Sequence, residues 1–320
     1  MLLSEIRNPL VLLIGPTAVG KTELSISLAE AMKGEIVSCD SRLFYRGMDI
    51  GTAKPTPAEM ARVPHHLIDV TDPDESWSLA VFQRKAYEVI DVIHQREKLP
   101  IMVGGTGQYV QAIVQGWEIP AQAPDDGLRT TIEAWASQIG KQELHRKLVL
   151  LDPAAANKID WRNLRRTVRA LEVIFRTGKL FSTQRRTGHP RYPTLQIGLY
   201  RPREEIFQRV DERIERMFAE GLIEEIQSLL DAGYKASDPG MSSIGYKQGI
   251  AYLEGRMSLE EAKAKMRQLT HTFVRRQANW FKRNDPMIHW FDVRENGILN
   301  DIIDTITHHG HWQFPDEVRA

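Results

Sequence analysis

Residues 10–22 read LVLLIGPTAVGKT, an apolar pentapeptide running straight into a complete phosphate-binding loop, Gly15-Pro16-Thr17-Ala18-Val19-Gly20-Lys21-Thr22. A loop of this kind between a strand and a helix cradles a polyphosphate on its backbone amides. Gly15 and Gly20 are expected to supply the backbone angles that aim those amides inward. Lys21 reaches the terminal phosphates as a point charge, and the Thr22 hydroxyl is placed to ligate magnesium at the helix start. The strand–loop–helix context predicts an α/β fold whose site lies at the carboxyl ends of parallel strands. The motif does not say which polyphosphate is held.

Working outward, Glu35–Cys39, Pro100–Val103 and Leu195–Tyr200 read as further short buried strands. Helices are expected over Lys21–Met32 and Leu79–Arg96, and strand signals lapse between residues 120 and 193. There, polar helical stretches cover Asp126–Ile139, Lys141–Leu151 and Asn163–Thr177. Beyond Arg201 the spacing of Ile206, Val210, Ile214 and Met217 is helical, with Gly221 and Gly233 as stops, and a last long helix is expected over Ser258–Asn284. The predicted organisation is therefore a P-loop NTPase-like parallel-sheet core over 1–119, a helical insertion over 120–193, and core completion with a helical C-terminal region over 194–320. Phe44, Tyr45, Tyr109, Trp280 and Phe281 read as core aromatics.

With 320 residues, 42% of them hydrophobic, the chain can bury one large core or two modest ones, which excludes a mainly disordered protein. Leu10–Ile14 is too short to span a bilayer. Cys39 is the single cysteine, so no intrachain disulfide forms, and no Cys/His spacing points to zinc; a cytoplasmic monomer is expected. Zero formal charge and a pI of about 7.2 exclude a dedicated nucleic-acid domain, so any such surface is local. Arginines and lysines concentrate between Lys158 and Arg191 and again between Lys263 and Arg283, and each run reads either as a solvated helix face or as a phosphate-binding surface.

A nucleotidase needs an acid at the end of a further apolar strand to hold magnesium. Leu67-Ile68-Asp69 is a short candidate, whereas the strand at Pro100 ends in Gly104-Gly105-Thr106 with no acid. Asp40, at the end of the second strand, is expected beside the loop strand, where its carboxylate reaches the phosphate crevice as a base; helix capping or an Asx-turn with Ser41 is the other reading. The Gly104–Gly107 turn either brings amides and the Thr106 hydroxyl towards the same centre or is a plain tight turn, which explains the glycines nearly as well.

Taken in order, GPTAVGKT, DSRLFYRGMDIGTAKP (40–55), PHHLIDV (64–70), VGGTGQY (103–109), RALEVIFRTGK (169–179), SIGYKQ (243–248) and RRQANWF (275–281) closely resemble the tRNA dimethylallyltransferase family, over about Leu10–Trp290. The resemblance implies transfer of a dimethylallyl group from dimethylallyl diphosphate to the N6 amine of the adenosine 3′ of the anticodon, in tRNAs reading codons that begin with U. It implies that the loop grips the donor's diphosphate, with Mg2+ held through Thr22, Asp40 as base and Thr106 in the reaction channel beside Lys21. Arg209 or Arg213 is implied as a further diphosphate contact. Contacts to the tRNA anticodon stem-loop are implied for Asp40, Ser41, Arg42 and Leu43, for Thr106 and Arg129, and for Arg165, Arg166, Thr167, Val168 and Arg169. Further contacts are implied for Ser243, Ile244, Gly245, Tyr246, Lys247 and Gln248, and for Arg275, Arg276 and Gln277. One departure stands out: the residues before the RALEV helix, Ile159–Asn163, do not carry the family's His-Pro-Asn-Asp-like turn.

Competing readings are an adenylate isopentenyltransferase, which has no need of the two basic runs, a small-molecule kinase with Asp40 as base and ATP in the loop, and a non-catalytic nucleotide or RNA module.

Overall fold

The computed structural model describes residues 8–119, 125–184 and 186–309; Arg185 and the side chain of Arg186, in the first basic run, lie outside these. The chain divides into two units, 1–114 with 191–320, and 115–190.

The first unit begins with β1 (Leu10–Ile14), α1 (Lys21–Ala31), β2 (Gly34–Ser38), α2 (Pro57–Arg62), β3 (His65–His66), α3 (Leu79–Gln95), β4 (Leu99–Gly104) and α4 (Gly107–Val114). The second contains β5 (Trp117–Glu118), α5 (Asp126–Ile139), α6 (Lys141–Leu151), α7 (Pro153–Ala156), α8 (Leu164–Thr177), α9 (Phe181–Gln184) and β6 (Arg186–Thr187). The first resumes with β7 (Thr194–Tyr200), α10 (Arg203–Ala219), α11 (Leu222–Asp231), α12 (Tyr246–Leu253), α13 (Leu259–Gln277), β8 (Ile288–Asp292) and α14 (Ile298–His308).

Its sheet has six strands in the order β3-β2-β4-β1-β7-β8, and every pairing is parallel. β1 lies at the centre and every one of its residues is buried, because alternate side chains face opposite layers. Leu10, Leu12 and Ile14 pack with Phe82, Ile90 and Ile93 of α3 and Val110 of α4. Val11 and Leu13 pack on the other face with Ile26 and Leu28 of α1 and Ile302 and Ile306 of α14. A third apolar cluster, around Val210, Ile214, Leu222, Tyr246 and Met266, joins the helices α10 to α13.

Four expectations change. β4, not β2, is the neighbour of β1, so Asp40 follows a strand one position further out. The last long helix stops at Gln277: Asn279 and Trp280 donate to the carbonyls of Arg276 (3.2 Å) and Gln277 (3.0 Å), three residues back, and the tightened turn ends the α-helix. That turn sends Phe281 into the core at 4% exposure and leaves Trp280 42% exposed, so Trp280 is not a core residue. The C-terminal region is also not purely helical, since Ile288–Asp292 adds the edge strand β8.

In the second unit, Ile132, Leu144, Leu148, Val168 and Leu171 form a separate apolar core. Asn163 caps α8 by accepting the Arg166 N–H at 3.2 Å.

Candidate active site

β1 ends at Ile14, in register with Gly104 of β4, so the phosphate loop and the Gly104–Gly107 turn emerge side by side. Gly15 is required for closeness rather than for a special angle: a Cβ there would lie 2.8 Å from the Leu199 carbonyl oxygen. The left-handed positions are Ala18 (φ 63°) and Gly20 (φ 115°), and the first carries a side chain and therefore strain. Arg209 Nε, from α10, donates to the Ala18 carbonyl at 2.8 Å and holds that conformation. Lys21 Nζ donates back across the loop to the carbonyls of Gly15 (3.0 Å) and Pro16 (2.7 Å). Burial pushes the Lys21 ammonium down to about 8, with the Asp40 carboxylate acting against this and the Arg213 guanidinium adding to it. Thr22 is exposed in the first turn of α1, and its hydroxyl takes no hydrogen bond among the described residues.

Asp40 arrives because Cys39 N–H extends the β2–β4 pairing by one more bond, to the Val103 carbonyl at 2.9 Å. The close approach needs glycine at 104, where a Cβ would lie 2.6 Å from Cys39 Sγ. Asp40 Oδ1 accepts the Arg42 N–H at 3.0 Å, an Asx-turn that orients the carboxylate, while Oδ2 takes no hydrogen bond among the described residues. The turn reading and the reactive reading are thus compatible.

Asp40, Thr106 and Thr17 line one cleft of about 240 Å³. Ser41, Arg42, Gly51, Thr52 and Ala53 complete the near wall. Val210, Ile214, Met217, Ile244, Met266 and Phe273 add an apolar lining, with Arg213, Ser243 and Thr270 as its polar members. Arg213 has no ion-pair or hydrogen-bond partner among the described residues, and burial followed by the nearby Arg209 charge pulls its guanidinium below the usual range. An unpaired, desolvated cation costs free energy until an anion arrives. Of the two candidate arginines, Arg213 therefore faces the cleft, whereas Arg209 braces the loop. Asp69, the alternative magnesium acid, is instead bound by the Lys54 ammonium.

The IPP transferase family model matches residues 43–284. The chain belongs to the IPP transferase family. It is 52% identical over 275 residues to a tRNA dimethylallyltransferase of Roseiflexus sp. (strain RS-1), covering 86% of this chain and 90% of that one. Identity to the protein of the same name from Thermomicrobium roseum is 46% over 291 residues, 91% of this chain and 88% of that one. The crystal structure of the tRNA isopentenylpyrophosphate transferase of Bacillus halodurans is similar at a TM-score of 0.70, with 41% identity and 94% and 96% of the two chains covered. A eukaryotic dimethylallyltransferase crystallised acting on tRNA aligns at a TM-score of 0.77, with 25% identity over 98% of this chain and 83% of that one.

Within this family member the RNA-contact candidates sort by burial. In the Arg165–Arg169 stretch, Thr167 and Val168 face the core, and Arg165 and Arg166 are exposed with no ion-pair partner among the described residues. Arg129 and Arg169 both contact Glu172, which is 0% exposed, at 2.7 and 2.9 Å. In Ser243–Gln248, Ser243, Tyr246 and Gln248 are buried, Gly245 is the N-cap of α12 (φ 97°), and Lys247 is the exposed member. Arg275 and Arg276 are exposed at the end of α13, Arg275 lying 5.8 Å from the Phe207 ring. Leu43 is half-buried and does not line the cleft.

Glu225 escaped the sequence reading. From α11 its carboxylate accepts three successive backbone N–H groups, those of Asp49 (2.8 Å), Ile50 (2.7 Å) and Gly51 (3.2 Å), and the Tyr246 hydroxyl at 2.5 Å. It thereby fixes the irregular 49–53 segment that walls the cleft. Burial, then the Glu225 charge, pushes the Tyr246 hydroxyl well up, so it stays a donor. Two adjacent acids in the first turn of a helix give no hint that one of them closes a loop over 170 residues away.

Proposed function

We propose that this chain transfers the dimethylallyl group of dimethylallyl diphosphate to the N6 amine of an adenosine in tRNA, the nucleotide 3′ of the anticodon in tRNAs that read U-starting codons, and releases diphosphate. The observation that carries this reading is the cleft itself: Arg213, without a partner among the described residues, set among apolar side chains, with one carboxylate, Asp40, and Thr106 alongside, and with Thr17 of the phosphate loop in its lining. An anionic head with a short hydrocarbon tail matches that division, and a kinase would have no use for the apolar lining.

The leaving diphosphate accumulates negative charge as the C–O bond breaks. Lys21, Arg213 and the loop amides stabilise that charge more in the transition state than in the bound donor. The adenine amine is a poor nucleophile because its lone pair is delocalised into the ring; Asp40 accepts its proton as the new N–C bond forms. Thr106 orients the amine from the turn beside the loop. The exposed, unpartnered Thr22 hydroxyl suits Mg2+, and with no cluster of three or more acidic, histidine or cysteine side chains among the described residues, the ion would take its remaining ligands from diphosphate and water. Bound there, it adds electrostatic stabilisation of the leaving group. Among the contact candidates, Arg42, Arg165, Arg166, Lys247, Arg275 and Arg276 are the exposed cations available to tRNA phosphates. The target base lies in a loop and is drawn out of a single-strand stack at a cost of a few kcal/mol. Among the described residues no helix is long and apolar enough to cross a membrane, and we expect a cytoplasmic monomer.

The test is incubation with dimethylallyl diphosphate, magnesium and unmodified tRNA, followed by mass analysis of nucleosides. A prenyl mass gain on one adenosine is expected. Unchanged tRNA together with ATP-dependent phosphorylation of a metabolite would replace this reading with the kinase.

A further inference from the structure

Past the rung Ile14↔Gly104 the β1–β4 ladder ends and the two chains part, one into the phosphate loop and one into the turn carrying Thr106. A side chain fills the opening. Gln277, the last residue of α13 and 4% exposed, accepts the Thr17 N–H at Oε1 (3.0 Å) and donates from Nε2 to the Gly105 carbonyl (3.0 Å). One primary amide thus accepts from one strand end and donates to the other, as the peptide group of an intervening strand would. The junction has no slack: a Cβ on Gly105 would lie 2.3 Å from Gln277 Nε2 and 2.9 Å from the Gly15 carbonyl oxygen. That same Gly15 oxygen accepts from Lys21 Nζ, so the lysine, the loop, the turn and Gln277 form one connected set.

We propose that Gln277 is a positioning residue for prenyl transfer, its side-chain amide setting the separation between the loop that grips the departing diphosphate and the turn that presents Thr106. The proposal rests on the transfer reaction above and adds to it a residue spent wholly on backbone groups. Neighbouring side chains cannot substitute. A serine is too short to span both partners, a leucine satisfies neither, and an ionised glutamate accepts but cannot donate. Since displacement of reacting groups by about 1 Å costs on the order of 10²-fold in rate, a junction at this point governs kcat rather than substrate affinity.

Gln277→Glu provides the test. When ionised, the new carboxylate still accepts from Thr17 but sets an oxygen against the Gly105 carbonyl; when protonated, its O–H donates there and the native pattern returns. The assay is kcat for prenyl transfer per binding-competent site, competence being titrated calorimetrically with inorganic diphosphate. Above the carboxyl's titration, kcat is expected to be roughly 10²-fold below wild type. Across that titration the variant-to-wild-type ratio should rise about tenfold per pH unit lowered, with KM for tRNA within about threefold of wild type. A ratio independent of pH, or a loss accounted for entirely by fewer competent sites, would overturn the proposal. Should Gln277→Glu not fold, Gln277→Met, similar in reach and unable to make either bond, should show the same loss per competent site; near-native kcat there would overturn it equally. Wild-type protein that transfers no prenyl group is a separate result, read in the same assay, and refutes the reaction rather than the residue's role.

Discussion

Replacing Tyr246 by phenylalanine isolates one bond in the brace that holds the cleft wall. The ring has no freedom to move, since a Cβ on Gly51 would already lie 2.5 Å from Tyr246 Cε2, so the phenyl group stays where the phenol was. What is lost is the hydroxyl's 2.5 Å bond to Glu225. Hydrogen bonds to charged acceptors contribute about 1.5–3 kcal/mol, and Tyr246 is fully buried, which places this one within that range. At roughly 2–4 °C per kcal/mol for a chain of this size, Tm should fall by about 3–12 °C. Glu225→Gln should cost more, because an amide can offer only one oxygen and turns its NH2 towards a backbone N–H that now lacks an acceptor. The assay is thermal and urea unfolding of both single variants and the double variant. A coupling energy of at least about 1 kcal/mol between the two positions is expected, together with a raised KM for the prenyl donor, since Gly51, Thr52 and Ala53 line the cleft. Tm within about 1 °C of wild type for Tyr246→Phe, or purely additive effects, would show that Glu225 does not need the tyrosine and that the brace is misread.

Asp40→Ala should lower kcat by roughly 10²- to 10⁴-fold with tRNA affinity nearly unchanged, as checked by single-turnover transfer and filter binding; a matching loss of tRNA binding would make Asp40 a recognition residue instead. Donor affinity should fall as pH rises through about 8, where the buried Lys21 ammonium loses its proton in the free protein; calorimetric titrations from pH 6.5 to 9.5 should show this in wild type and a flat profile in Lys21→Met. The stability linkage of the same group has the opposite sign. Its folded value lies below its unfolded one, so the unfolded chain holds more protons between about 8 and the ordinary lysine value, and Lys21's contribution to stability rises with pH across that window. Replacing Arg165 and Arg166 by alanine should reduce the salt slope of tRNA binding by about one unit for each phosphate no longer neutralised, and an unchanged slope would return both to a plain solvated face.

The parts legible from sequence are those in which chemistry and burial repeat locally. β1, β2, β4 and β7 are buried on both faces and read as apolar runs, and the loop announces itself by spacing. β3 has two residues and β8 mixes buried with exposed positions at the sheet edge, so neither leaves such a trace. The strand order was not legible either, because nothing in the run from Glu35 to Cys39 reveals that β4 inserts between it and β1. In the site, Asp40 and Thr106 were visible as residue types just past strand ends, and Lys21 through the spacing of the loop. The division of labour between Arg209 and Arg213, one bracing Ala18 and the other facing the cleft, depends on which helical turn meets the loop. Gln277 and Glu225 act through a few contacts with residues as far as 260 and about 175 positions away, and polar contacts of that range carry no periodicity to read.

The second unit closes on itself at its base. Trp117 and Glu118 pair antiparallel with Thr187 and Arg186, and Gly188 N–H reaches the Gly116 carbonyl at 3.1 Å. Departure and return are therefore stitched together within two rungs, and α4 and β7 are joined by what amounts to a short hairpin neck. The residues beyond the neck have an apolar core of their own, and doubling the length of a flexible loop there adds only about 0.6 kcal/mol of closure entropy. The same neck makes the unit a transplantable part: a graft cut at Gly116 and Gly188 would carry its own clasp with it.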